Sequence, residues 1–311
     1  MLRFVLIRLV RAFLTVLLVI TFAFIVLRVS GDPAISIMGD DASPAAMAAF
    51  RREWGLDDPL WVQYLRYFVA IFHGELGYSM RGGGPALDLV ASRIPATLAV
   101  TVPALVLKLG IGIPAGIYAA LHRDSAIDRW VMAAAVAGFT IPSFVLGLIL
   151  VQIFAIALGW LPTGGNDGWH HVILPVLTLG IGGAAVLARF VRSAMLEVLG
   201  QHYVRTASAK GVPWPVVVRR HALPNAAIPT VTIVGFLVGN LIAGSVVVES
   251  VFSWPGVGNL LVVSVVSRDL AVVQCILLLV AATMVASNLT VDFLYGMLDP
   301  RLRQAADARG R

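Results

Sequence analysis

Six stretches of this chain, 10–29, 94–121, 130–158, 172–188, 226–248 and 270–291, are almost free of charge, and each reaches roughly the 20 residues that a helix needs to cross a bilayer. No other feature limits the fold as much. In lipid, backbone polar groups must be satisfied within a helix or a closed barrel, and barrel strands alternate apolar with polar residues, so these runs predict spanning helices. Composition agrees, with 59% hydrophobic and 13% charged residues, against about 25% charged in soluble domains. The expected fold class is all-α, a polytopic integral membrane protein with about six transmembrane helices.

The first run follows a basic start, as a secretory signal does. It is long, however, and no small-x-small cleavage site precedes Gly31-Asp32-Pro33, so an N-terminal membrane anchor is expected. With the N-terminus inside, the inner segments are 1–11, 122–129, 189–225 and 299–311. They hold most of the 23 Lys and Arg, including Arg3, Arg8, Arg11, Arg123, Arg129, Arg189, Arg192, Arg219, Arg220, Arg301, Arg303, Arg309 and Arg311. Cytoplasmic loops collect such residues, so both termini are expected in the cytoplasm. The opposite side receives Asp32, Asp40, Asp41, Glu53, Asp57, Asp58, Glu75 and Asp88 in one long loop. The net charge of +6 is then a topology signal, and no basic run interleaved with aromatics suggests nucleic acid as a partner.

The external segment 30–93 is long enough for a small subdomain, either a lid or packing element or a docking surface. Ser43-Pro44 predicts a helix start and 61–72 an amphipathic helix, while Gly82-Gly83-Gly84-Pro85 breaks the chain before the second span. Cys275 lies alone in the last run and reads as a buried thiol.

Catalytic patterns are absent from the sequence: there is no His-Glu-x-x-His, no Gly-x-Ser-x-Gly and no phosphate-cradling Gly-x-x-x-x-Gly-Lys. His170 and His171, read as part of a short outer loop, have no Cys and only Asp167 as a carboxylate near them in sequence, short of a full ligand set, so no metal site is assigned. An enzyme is not expected, and energy for any transport must come from another chain.

Lys108, near the middle of the second run, is a candidate path-lining or paired intramembrane charge, the alternative being a lysine that snorkels or contacts the bundle. Glu249 and Asp292 lie near run ends and read as interfacial or helix-contact residues. Pro95, Pro103, Pro114, Pro142 and Pro175, with Gly110, Gly112 and Gly116, fit a mobile bundle lining a path. Such a bundle suits an ion-gradient-driven carrier as well, although no buried ionisable relay or internal repeat is evident. A non-transporting membrane scaffold is the other alternative.

Between the fourth and fifth runs lies the polar, basic stretch YVRTASAKGVPWPVVVRRHALPNAAIP, 203–229. Helix-compatible sequence reaches Lys210, Gly211 breaks it, Pro213 and Pro215 start a second short helix, and Leu223-Pro224 is expected to end it. Two short helices at an angle form a knob for another protein's groove, or else an amphipathic surface resting on lipid headgroups.

Gly211, nine further residues, then His221-Ala222-Leu223-Pro224 resembles the coupling loop of ATP-binding-cassette importer permeases, whose pattern is Glu-Ala-Ala, three residues, Gly, nine residues, Ile-x-Leu-Pro. Arg205-Thr206-Ala207 stands where Glu-Ala-Ala would be, and YVRTASAKG is similar to the form in the dipeptide, oligopeptide and nickel subfamily. The ordered motifs GDPA, WGLDDPLWVQYLRYF, RIPATLAV, IPSFVLGLIL, GWLPTGG, ILPVLTLG, VVVESVFSWPGVGNLL and VDFLYGMLDPRLR extend the likeness to the first permease of such importers over nearly the whole chain.

The resemblance implies the type I (MetI-like) importer permease fold, with an N-terminal helix 1–29, the external loop 30–93, a permease core 94–298 and a cytoplasmic tail 299–311. Core helices are expected at 94–121, 130–158, 172–192, 226–249 and 270–296, with a coupling loop over 197–225. It further implies a homologous second permease, two ATPase subunits that bind ATP and Mg, an external solute-binding protein, and a peptide or related solute, with no cofactor on this chain. The multi-pass chain would sit in lipid as part of a bacterial inner membrane. Coupling residues carried over are Tyr203, Arg205, Thr206, Ala207, Ala209, Lys210, Gly211, His221, Leu223 and Pro224. Trp254, Pro255, Gly256 and Gly258 would serve outer gating or docking, the alternative being an ordinary re-entrant packing turn.

The basic-residue distribution generates a topology test. Reporter tags at Met1 and Arg311 are expected on the cytoplasmic side and a tag beside Gly83 outside; cytoplasmic labelling at Gly83 would overturn the orientation.

Overall fold

The computed structural model describes residues 2–29, 31–39 and 42–298. The tail 299–311, Asp40, Asp41 and the Asp292 side chain, all invoked above, lie outside what is described.

The described chain is helical, with a single isolated β-bridge between Tyr78 and Pro85. In order, the helices are α1 (Leu2–Val29), α2 (Pro33–Met38), α3 (Pro44–Glu53), α4 (Leu60–Phe72), α5 (Ala86–Leu121), α6 (Ala126–Thr140), α7 (Ser143–Leu150), α8 (His170–Leu199), α9 (His202–Ala209), α10 (Trp214–Val217), α11 (Leu223–Gly239), α12 (Val246–Val251), α13 (Val257–Val266) and α14 (Leu270–Leu298). Five helical stretches are long and apolar enough to span a bilayer by themselves. The sixth apolar run, 130–158, is not one straight helix, because α6 and α7 meet at Ile141-Pro142 with a bend of 103°. Pro142 has no N–H to continue the helix and disfavours helical geometry at Ile141, which is extended. α5, by contrast, runs unbroken through Pro95, Pro103 and Pro114. His170 and His171, expected in a loop, open α8 instead.

The chain divides into two compact units. One comprises Arg3–Thr97 and Pro255–Thr283. Its surface helices begin where the sequence predicts: Ser43 caps α3 by accepting from the Ala46 N–H at 3.2 Å, and Asp32 caps α2 while pairing with Arg51. Phe24 of α1 packs edge-on against Tyr64 of α4, and the Thr21 and Tyr64 hydroxyls lie 2.8 Å apart. Buried Asp269, just ahead of α14, accepts from the Ser79 hydroxyl and the Met80 N–H, tying the external segment down.

The other unit comprises Leu98–Trp254 and the chain from Met284 onward. Its centre is α8, which packs against α6, α7, α11 and α12. α5 meets α8 through glycines: a Cβ at Gly112 would stand 2.8 Å from the Ala184 carbonyl oxygen, and one at Gly116 would stand 2.5 Å from that of Ala188. Between membrane helices, where lipid is as apolar as leucine, such backbone approach supplies the packing that hydrophobicity cannot. Gly235 and Gly239 of α11 face Val291 and Ser287 of α14 in the same way, and the Ser287 hydroxyl donates to the Gly235 carbonyl.

A bidentate ion pair fixes the start of α6. Asp128, 3% exposed, accepts from Arg192 of α8 through both carboxylate oxygens, the Nη2–Oδ2 distance being 2.6 Å, and also from the Asp124 N–H at 3.0 Å. Removing one partner leaves the other's charge desolvated and alone. Asp128→Ala is therefore expected to cost about 3 kcal/mol in a denaturant titration of the purified protein, whereas removing the exposed Asp58–Arg66 pair should cost under about 1 kcal/mol.

Candidate functional site

The polar stretch after α8 builds a compact projection. α8 stops at Leu199, Gly200 and Gln201 turn the chain, and α9 begins afresh, so the helix expected to reach Lys210 is interrupted. α9 closes in a glycine-capped turn: Gly211 takes φ +78°, its N–H donates to the Ser208 carbonyl at 3.0 Å, and the Val212 N–H donates back to Ala207 at 3.3 Å. This pair of bonds is the Schellman arrangement, which needs a left-handed residue after the helix end. Pro213 and Pro215 then start α10, where missing N–H groups cost nothing.

The expected stop at Leu223-Pro224 is corrected. Residues Val218–Ala222 form a widened π-helical turn, and the chain continues through it into α11. Pro224 lacks an N–H and its ring crowds the preceding turn, which the wider turn accommodates.

This projection has a core of its own. Val204, Ala207 and Val217 are buried together, with Val198, Leu199 and Val212 against them. Around that core, Tyr203, Arg205, Thr206, Ala209, Lys210, Gly211, Arg219, Arg220 and Pro224 are exposed. The set carried over by resemblance thus separates by environment: Ala207 is core, His221 and Leu223 are half-buried, and the others face outward. Partial burial raises the Tyr203 phenol above its ordinary pKa. Sequence reasoning missed Trp214, half exposed beside this face; an aromatic between two prolines in a polar stretch was the available signal. From the projection, Val218, Ala222 and Ala226 pack onto Ala120 of α5 and Leu187, Val191, Ala194 and Met195 of α8, so it joins the spanning helices through continuous buried contacts.

A second feature is a cavity of about 380 Å3 in the same unit, walled by α5, α6, α7, α8 and the end of α11. Lys108 lines it, together with Thr101, Ser143, Thr178, Asn240 and Ser245, and among the described residues no acidic residue does. The turn after α12 is different in kind. Trp254, Gly256 and Gly258 are buried and Pro255 is half-buried. Within its own unit, Val257 N–H donates to Thr97 Oγ1 at 2.8 Å and Arg93 reaches the Pro255 carbonyl at 3.3 Å. Among the described residues, no group of three or more His, Cys, Asp or Glu could hold a metal ion.

Residues 112–304 match the family described as binding-protein-dependent transport system inner membrane component, and residues 1–101 match the corresponding N-terminal membrane component. The glutathione transport system permease protein GsiC of Salmonella paratyphi A is 45% identical over 97% of this chain and 99% of that protein. Its counterpart in Escherichia coli strain K12 is 44% identical over the same shares. In such systems ATP is hydrolysed on separate subunits. The chain therefore belongs to the inner membrane permease components of binding-protein-dependent, ATP-binding-cassette importers.

Proposed function

We propose that residues 197–225 are the element through which two ATPase subunits move this permease, and that the chain works beside a homologous second permease and an external solute-binding protein. The observation that carries this reading is the projection's construction: a private core of Val204, Ala207 and Val217 makes it rigid, and the buried series from Val218 to Met195 links it to α5 and α8. A rigid knob joined by packed contacts transmits displacement, whereas a loosely tethered loop would absorb it. The outward face of Tyr203, Arg205, Thr206, Ala209 and Lys210 supplies the grip. ATP binding would draw the ATPases together and push α9 and α10, and the spanning helices would follow, exchanging outward for inward access. This requires the termini and the projection on the cytoplasmic side, as the basic residues favour.

The solute we assign is a small peptide-like molecule of the glutathione class, supported by the named transport activity of the relatives. The cavity containing Lys108 is then this subunit's share of the path. Burial of Trp254, Gly256 and Gly258 speaks against a docking surface and leaves an outer gating role or an ordinary re-entrant packing turn.

Gly211→Val tests the coupling. A β-branched residue at φ +78° is strained by about 1–3 kcal/mol, although the space beside Gly211 is open, so the cap should be distorted while the spans remain intact. The variant is expected to insert normally but to retain less ATPase on purification and to lose most solute uptake in vesicles. Wild-type values in both assays, or a change in lipid association alone, would remove the coupling role.

A further inference from the structure

The Lys108 side chain occupies a place made for it. Its stem lies over Gly183 of α8, where an added Cβ would stand 2.5 Å from Lys108 Cε and 2.8 Å from Cδ. A glycine at this contact makes room for the lysine stem between two helices that are already close, and Lys108 lines the cavity. No carboxylate pairs with Lys108 among the described residues.

Other polar groups around the same cavity are uncommitted as well. The Asn240 amide and the Ser143 hydroxyl both line it and make no side-chain hydrogen bond among the described residues, whereas Thr178 donates to the Leu174 carbonyl at 2.8 Å and Ser245 to Glu249 at 2.8 Å. An ammonium, an amide N–H and a hydroxyl thus line the cavity as donors, and among the described residues the lining holds no acid, the buried Glu249 carboxylate standing behind Ser245. A cation within a membrane domain is costly unless something pairs with it. A carboxylate, with two oxygens and about four lone-pair sites, has the acceptor capacity for an ammonium, an amide N–H and a hydroxyl.

We infer that this cavity binds a carboxylate of the transported solute, with Lys108 as its cation, Asn240 and Ser143 as neutral donors, and Gly183 as the residue that positions the lysine. The inference rests on the reading of the chain as a permease for a peptide-like solute and names the group by which that solute is held. Recognition is of the carboxylate, not of a particular side chain.

The test uses the assembled transporter in proteoliposomes with its binding protein. Two probes are compared, glutathione and the same tripeptide with both carboxylates converted to amides, and each variant is expressed as a ratio to wild type, so that delivery by the binding protein cancels. Loss of a charge-assisted hydrogen bond corresponds to about tenfold or more, so Lys108→Gln should lower glutathione uptake by that factor, chiefly through a raised KM, with a ratio near one for the diamide. Gly183→Ala, which keeps every charge but displaces the flexible stem, should reproduce the effect in part, and Lys108→Arg should retain more uptake than Lys108→Gln. If the lysine instead pairs with an acid of the second permease, Lys108→Gln will lower the yield of assembled complex and depress both probes equally, which overturns the inference. Undiminished glutathione uptake by Lys108→Gln also overturns it, while leaving the permease reading untouched. A wild-type complex that takes up no glutathione would instead withdraw the solute class proposed above, and this assignment with it.

Discussion

Much of the larger unit depends on how closely α5 and α8 approach. Gly112 and Gly116 present bare backbone to the Ala184 and Ala188 carbonyls, while Gly180 admits the Leu107 side chain and Gly183 the Lys108 stem. Contacts of this kind lose their geometry with any added methyl group, so the two helices behave as one rigid wedge. That wedge is the surface on which Val218, Ala222 and Ala226 rest at one level, and its α8 face lines the cavity at another. Movement delivered to the projection, as proposed for the ATPases, would therefore reach the cavity wall as displacement of a body, and not as bending of a single helix.

The ion pair Asp128–Arg192 complements the wedge. Ser125 caps α6, Asp128 is held by Arg192, and the connection between α5 and α6 passes through Asp124 in a left-handed conformation. A buried, bidentate pair fixes direction as well as distance. The end of α6 nearest the projection is thereby anchored to α8, while its other end is released by the break at Pro142. A helix pinned at one end and bent by 103° at the other suits a wall that must alter its outline without leaving the bundle.

The sequence made the spans legible because lipid enforces a simple rule: long uncharged runs must be helices. Gly211 was legible for a similar reason, since a glycine at the end of a helix-compatible stretch, two residues ahead of Pro213, marks a helix stop. The run 130–158 looked uniform because hydropathy is blind to backbone geometry, and only Pro142 hinted at the bend. Pro224 misled in the opposite direction: proline usually marks a helix boundary, yet five residues, Val218–Ala222, absorb it in a wider turn. Pairings distant in sequence, such as Asp128 with Arg192, Ser79 with Asp269 and Lys108 over Gly183, could not be read at all, because each depends on which helix face meets which.

The two candidate features differ in what they ask of the surrounding protein. Residues at the surface of the projection can be exchanged for others, since an interface is a sum of many contacts, and exposed Arg205-Thr206 in place of Glu-Ala is consistent with that tolerance, while the buried Ala207 keeps the alanine of the pattern. The cavity is less forgiving. Its single ammonium has no acidic partner among the described residues, its stem requires Gly183, and Gly183 lies on the same stretch of α8 as the residues that receive α5. Selectivity and mechanics thus share one helix interface: the close approach that makes the wedge rigid also leaves room for a lysine only where a glycine faces it, which places the cation by the same packing that carries the motion.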